Sequence, residues 1–207
     1  MAVLYEILDV LDSQKFADKL DEALQITNIG GNETAFKGYK LKGNPAVFYT
    51  NIREGTNQGV SPPDAKGFES IRQIMETGKV NSEILNSVDT IINLHTHPAQ
   101  KFEGINCLVM EPSYEDLVNS LGQDSPINII ACKNKQTILS IYQPFPETKI
   151  IKISKQKYGS LSPLENPSII RDLGFNFLFD VEYPLDKENK SKFFDNFIRG
   201  NDLGLVC

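Results

Sequence analysis

Residues 89–98 read DTIINLHTHP, and they hold both histidines of a chain of 207 residues. The apolar run Ile91, Ile92 and Leu94 has the length and β-branched content of a buried strand. On an extended strand residues i and i+2 share a face, so His95 and His97 project together while Thr96 turns away. Pro98 lacks the N–H that a ladder needs, so strand pairing is expected to stop there, with the two imidazoles at the open carboxyl end. Two imidazoles so placed can share one metal ion, and a hydrolytic zinc site adds a third protein ligand and keeps one position for water. Carboxylate or cysteine would supply the third. The competing reading is a pair of unrelated core or surface histidines, against which stands the use of all the histidine in this one place.

Working outward, residues 112–117, PSYEDL, set Ser113 and Asp116 three apart where a helix is expected to start. Such a pair serves as a near capping box, and Asp116 favours the helix dipole there. Upstream, SQKFADKLDEAL (13–24) carries Phe16, Ala17, Leu20 and Leu24 at helical spacing, with Ser13 or Asp12 as N-cap. Then NIGGNE breaks the pattern, and ETAFKGYKL (33–41) and PAVFYTNI (45–52) read as strands joined by a KGNP turn. Residues 53–66 carry the Gly, Asn, Ser and Pro of a loop, and GFESIRQIMETG (67–78) returns to helical spacing. Further strands are expected at 106–110, 126–132 and 136–142, and one more at TKIIKIS (148–154). The order lacks regular βαβ alternation, which predicts an α+β, or mixed α/β, fold.

After about Lys155 the composition changes. A loop-like stretch leads to the apolar, aromatic segment 169–185 and to a last helix, KENKSKFFDNFIRG. This divides the chain into 1–155 and a carboxyl-terminal extension or small subdomain, 156–207. The extension is too apolar for a disordered linker. Its spaced phenylalanines are expected to pack inward.

Composition narrows the function classes. The chain is 40% hydrophobic and 23% charged with a net charge of −6, which argues against nucleic acid or an anionic membrane as partner. The amino-terminal MAVLYEILDVLD lacks the basic n-region of a signal peptide. No stretch has the apolar length of a membrane span. Cys107, Cys132 and Cys207 form no CxxC pair, and a reducing cytoplasm is the expected setting.

His-x-His-Pro followed by Ser-x-x-Asp, with a glutamate upstream after an amino-terminal helix, resembles the JAMM (JAB1/MPN/Mov34) metalloprotease family. The likeness covers roughly residues 13–143. It implies an MPN/JAB-like curved sheet flanked by helices, and one zinc ion held by His95, His97 and Asp116, with water in the fourth position. It also implies Ser113 as a hydrogen-bond donor to the oxyanion or the metal-bound water, and Glu33 as general base, with Glu54 as its rival and Glu69 and Glu76 behind. The activity implied is hydrolysis of a peptide or isopeptide bond. The partner implied is a protein or peptide substrate; members commonly cut the bond that joins ubiquitin or a ubiquitin-like protein to an amine. The spacer AQKFEGINCLVMEP (99–112) is longer than the family pattern shows, consistent with an inserted loop or strand, and Cys107 within it reads as a core residue rather than a ligand. Two alternatives stand beside this reading. One is a non-catalytic MPN scaffold, and the other an amidohydrolase or PHP-type hydrolase, whose sites draw on further histidines that this chain lacks.

Overall fold

The computed structural model describes residues 2–41, 47–57, 59–60, 88–102, 105–107, 112–121, 127–144, 147–159 and 175–195. The expected helix at 67–78, with Glu69 and Glu76, lies outside them. Two helices open the chain, α1 (Ala2–Leu11) and α2 (Gln14–Gly30). A single hydroxyl joins them. Ser13 Oγ accepts the Phe16 N–H at 3.2 Å, which caps α2, and donates to the Val10 carbonyl at 2.7 Å, which ends α1. Gly31, at φ 70°, closes α2 by donating its N–H to the Thr27 carbonyl, a left-handed conformation that glycine adopts without strain. Helix α1 was not among the elements expected from sequence; Ile7, Val10 and Leu11 are buried.

The strands are β1 (Thr34–Leu41), β2 (Val47–Tyr49), β3 (Arg53–Glu54), β4 (Val88–Thr96), β5 (Gln100–Phe102), β6 (Ile105–Cys107), β7 (Ile127–Lys133), β8 (Thr137–Pro144) and β9 (Phe175–Tyr183). Between them lie α3 (Tyr114–Leu121) and α4 (Glu147–Tyr158), and residues 187–195 form a last described helix. Seven strands make one curved, open sheet in the order β2-β1-β4-β7-β8-β9, with β3 also paired to β1. Strand β4 is central: antiparallel to β1 and parallel to β7. The parallel pairing requires a crossover, and α3 lies within it. The chain is therefore α+β, with helices flanking the sheet.

Two sequence expectations meet a different outcome. TKIIKIS is helical within α4, not a strand. Its isoleucines are β-branched, but Lys149, Lys152 and Lys155 recur at helical spacing, Lys155 and Lys157 fall in the last turn, and Gly159 follows at φ 73°. The spacer 99–112 contains β5 and β6, a two-stranded ribbon apart from the main sheet, where one strand at 106–110 was expected. Residues 108–110 lie outside the described residues. Past Lys155, β9 pairs antiparallel with β8 along its length, so this part of the tail is built into the same sheet.

Alternation along the strands divides the sheet into two chemically distinct faces. Phe36, Ile92, Leu94, Ile127, Ile129, Ala131, Leu139, Ile141 and Val181 point one way and form the core with Phe16, Leu20, Ala23 and Leu24 of α2. Phe193 joins them, and Phe179 and Phe194 pack against the same cluster. His95 and His97 belong to the other set, on the opposite face. Phe36 is fully buried, with the Tyr49 ring edge-on at 5.8 Å and the Phe16 ring at 6.4 Å. Phe36→Ala is expected to cost about 3–5 kcal/mol, seen as a lower urea midpoint at unchanged m.

Candidate metal centre

Three separate elements bring polar groups to the open end of β4. His95 comes from β4 and His97 from the residue just past it, both about nine-tenths buried. Their Nε2 atoms face each other at 3.0 Å, with ring centroids 4.8 Å apart. The His97 N–H still reaches the Ala131 carbonyl on β7 at 3.0 Å, so pairing runs one residue past the strand before Pro98 stops it.

Asp116 enters from the first turn of α3. Its N–H donates to Ser113 Oγ at 3.2 Å, while the Ser113 N–H donates to Asp116 Oδ2 at 2.8 Å. This reciprocal capping box starts the helix and also fixes the carboxylate, so the capping and ligand readings of the motif are compatible. The other oxygen, Oδ1, lies 3.3 Å from His95 Nε2, and Oδ2 lies 3.8 Å from His97 Nε2.

Glu33 enters from the residue before β1. Its Oε1 is 3.9 Å from His97 Nε2, and its side chain is only 12% exposed. The loop after β3 holds it. The Glu33 N–H donates to the Thr56 carbonyl, the Gly55 N–H donates to the Glu33 carbonyl, and the Val60 N–H faces the Glu33 carboxylate closely enough to oppose its protonation. Gly55 makes this possible: a Cβ there would meet Gly59 O at 2.3 Å and Val60 Cα at 2.8 Å. Gly55→Ala is expected to force the turn open, costing about 1–3 kcal/mol in a denaturant melt. Metal content at saturating zinc should be unchanged, because the turn supplies none of the candidate ligands His95, His97 and Asp116.

The donor set fits a small divalent cation. Tetrahedral ligation at about 2.0–2.1 Å sets neighbouring ligand atoms about 3.3 Å apart. The two imidazole nitrogens are 3.0 Å apart, while Asp116 sets Oδ1 3.3 Å from His95 and Oδ2 3.8 Å from His97. One ligand atom from each residue falls within 4.8 Å of the others, close enough to bind a metal ion.

The two carboxylates are tuned apart. Burial drives Asp116 upward, but the His95 hydrogen bond and charge and the Ser113 bonds outweigh it and hold this carboxyl below its usual range. Burial raises Glu33, and the Asp116 charge adds to this, against the opposing influence of His95 and the Val60 N–H. Asp116 is thus a committed anion and Glu33 a more basic carboxylate. Beside them on the same face, burial foremost pushes the Cys132 thiol up to about 12, with the Glu33 and Asp180 charges adding, so it stays a neutral thiol.

Of the residues singled out from sequence, Glu33, His95, His97 and Asp116 come together. Ser113 is exposed and bonds to Asp116 rather than to either imidazole. Glu54 is exposed and accepts the Asn32 Nδ2 donor at 3.0 Å. The clamp of Gly55 and Val60 had no sequence signal beyond a glycine in a loop. Among the described residues no helix is long and apolar enough to cross a membrane. No protein-family model matches the chain, and a search of the curated proteins returns no match.

Proposed function

We propose that this protein is a zinc-dependent hydrolase of the JAMM type that cleaves a peptide or isopeptide bond. The observation that carries the reading is the convergence of Glu33, His95, His97 and Asp116 from three elements far apart in sequence. The order of helix, strand pair, histidine strand, helix and closing strand pair supports an MPN-like core. A non-catalytic scaffold does not require a complete ligand set, and an amidohydrolase-type site would need histidines from other strands.

His95, His97 and Asp116 would hold the ion. Bound there, zinc supplies Lewis acidity that polarises the scissile carbonyl and makes a water more acidic. Glu33 takes the proton from the attacking water and passes it to the leaving amine; its raised proton affinity suits both halves of that task. Ser113 Oγ accepts the Asp116 N–H, and its hydroxyl also serves the Asp116 carboxylate; turned from that carboxylate, it would donate to the tetrahedral oxyanion. The substrate would be a protein or peptide, including a ubiquitin-like conjugate. A reducing cytoplasm suits the buried Cys132 thiol.

The test is elemental mass spectrometry on untagged protein, followed by isopeptide-linked and linear peptide substrates with and without a chelator. About one zinc per chain with chelator-sensitive cleavage is the expected result. A protein that takes up no zinc from micromolar solution would be a scaffold instead.

A further inference from the structure

Directly behind the metal centre, on the core side of the sheet, lie three fully buried threonines from three elements: Thr27 of α2, Thr34 of β1 and Thr96 of β4. Thr96 stands between the two histidines, so strand alternation sends its side chain to the face opposite theirs. Its Oγ1 accepts the Thr34 N–H at 2.9 Å, lies 2.8 Å from Thr34 Oγ1, and also contacts Thr27 Oγ1 at short range. Thr34 Oγ1 lies 3.2 Å from Thr27 Oγ1 and 3.2 Å from the Ala23 carbonyl of α2.

The surroundings are apolar, and valine has the same shape, so packing alone does not call for hydroxyls here. Their place in the ladder does. The β1–β4 pairing ends at Ala35 opposite His95. One step beyond, the Thr34 N–H is bonded to a side-chain hydroxyl instead of a backbone carbonyl. That N–H belongs to the peptide linking Glu33 to Thr34. Thr96 Oγ1 thus ties the Glu33 peptide to the segment carrying His95 and His97, and Thr27 ties both to the end of α2.

We propose that Thr96, with Thr34 and Thr27, is a positioning cluster that sets the separation between Glu33 and the His95–His97–Asp116 group. The inference rests on the zinc reading above. Its consequence is an energetic coupling between Thr96 and Glu33 that zinc binding reports without any substrate. Glu33 lies close enough to His97 for its charge to strengthen binding, so Glu33→Gln should weaken zinc affinity by about tenfold. In a Thr96→Val background the carboxylate is no longer held, and the same change should cost under about twofold. Thr96→Ser, which keeps the hydroxyl, should restore the full effect.

The experiment is a double-mutant cycle of Glu33→Gln against Thr96→Val and Thr96→Ser, with zinc affinity measured by chelator competition and folding checked by thermal melts. If Thr96→Val does not fold, the cycle on Thr27→Val decides. Coupling lost in valine and restored in serine supports the cluster. Equal effects of Glu33→Gln in all backgrounds, or none in the wild type, overturn it while zinc binding stands. A wild type that binds no zinc overturns the underlying reading instead.

Discussion

Glu33→Gln is expected to keep about one zinc per chain at saturating metal and to lose turnover by about 10²–10⁴-fold, some 3–5 kcal/mol of transition-state stabilisation. The amide preserves the shape of the side chain, and the loop is held through the Glu33 backbone, so the loop clamp remains. What disappears is the ability to take a proton. KM should change little, because the proposed role of Glu33 is on the attacking water rather than in substrate binding. A KM rise with kcat preserved would instead make Glu33 a substrate contact. Glu54→Gln is the matching control and should leave turnover near wild type, since Glu54 is exposed and tied to Asn32. The reverse pattern would move the base to Glu54.

His97→Ala and Asp116→Ala are each expected to lower zinc content from about one per chain to under a tenth, because two remaining protein ligands rarely hold zinc. Asp116→Ala also removes half of the capping box and should cost about 1 kcal/mol of stability with no metal present. Asp116→Asn separates the two effects: the amide oxygen still accepts the Ser113 N–H, but the anionic ligand is gone. In the wild type, zinc at a hundred times its Kd should stabilise the fold by about 2.7 kcal/mol. That increment should vanish in all three variants, and calorimetry with and without chelator reads it. Full zinc content in Asp116→Asn would exclude the aspartate as a ligand.

Local patterns were legible where their physics is local. The α2 stripe, the cap at Ser13, the break at Gly31 and the buried strand before His95 all follow from spacings within a few residues. Lysine spacing in α4 was equally present, but β-branched isoleucines outweighed it in the reading. The site was legible in part for the same reason. His95 and His97 lie two apart on one strand, and Ser113 and Asp116 three apart at a helix start. Glu33 and Glu54 could not be separated this way, because each is a glutamate near a strand end. Cross-strand pairing separates them. Glu54 sits opposite Thr34 at the sheet edge, while Glu33 lies one residue outside β1, under the loop that contains Gly55 and Val60.

By itself the sequence determined the α+β class, the shared face of His95 and His97, and the cap that places Asp116 at the start of α3. Each follows from backbone periodicity or from a hydrogen bond spanning three residues. Only the tertiary structure decided that Asp116 returns to the histidines, that Glu33 rather than Glu54 approaches them, and that Thr27, Thr34 and Thr96 meet behind them. Those contacts join residues up to 69 positions apart, Thr27 and Thr96 being the most distant, and depend on β4 lying between β1 and β7. Sheet order and register are set by how the whole apolar face packs on α1 and α2, and no short window of sequence carries that information.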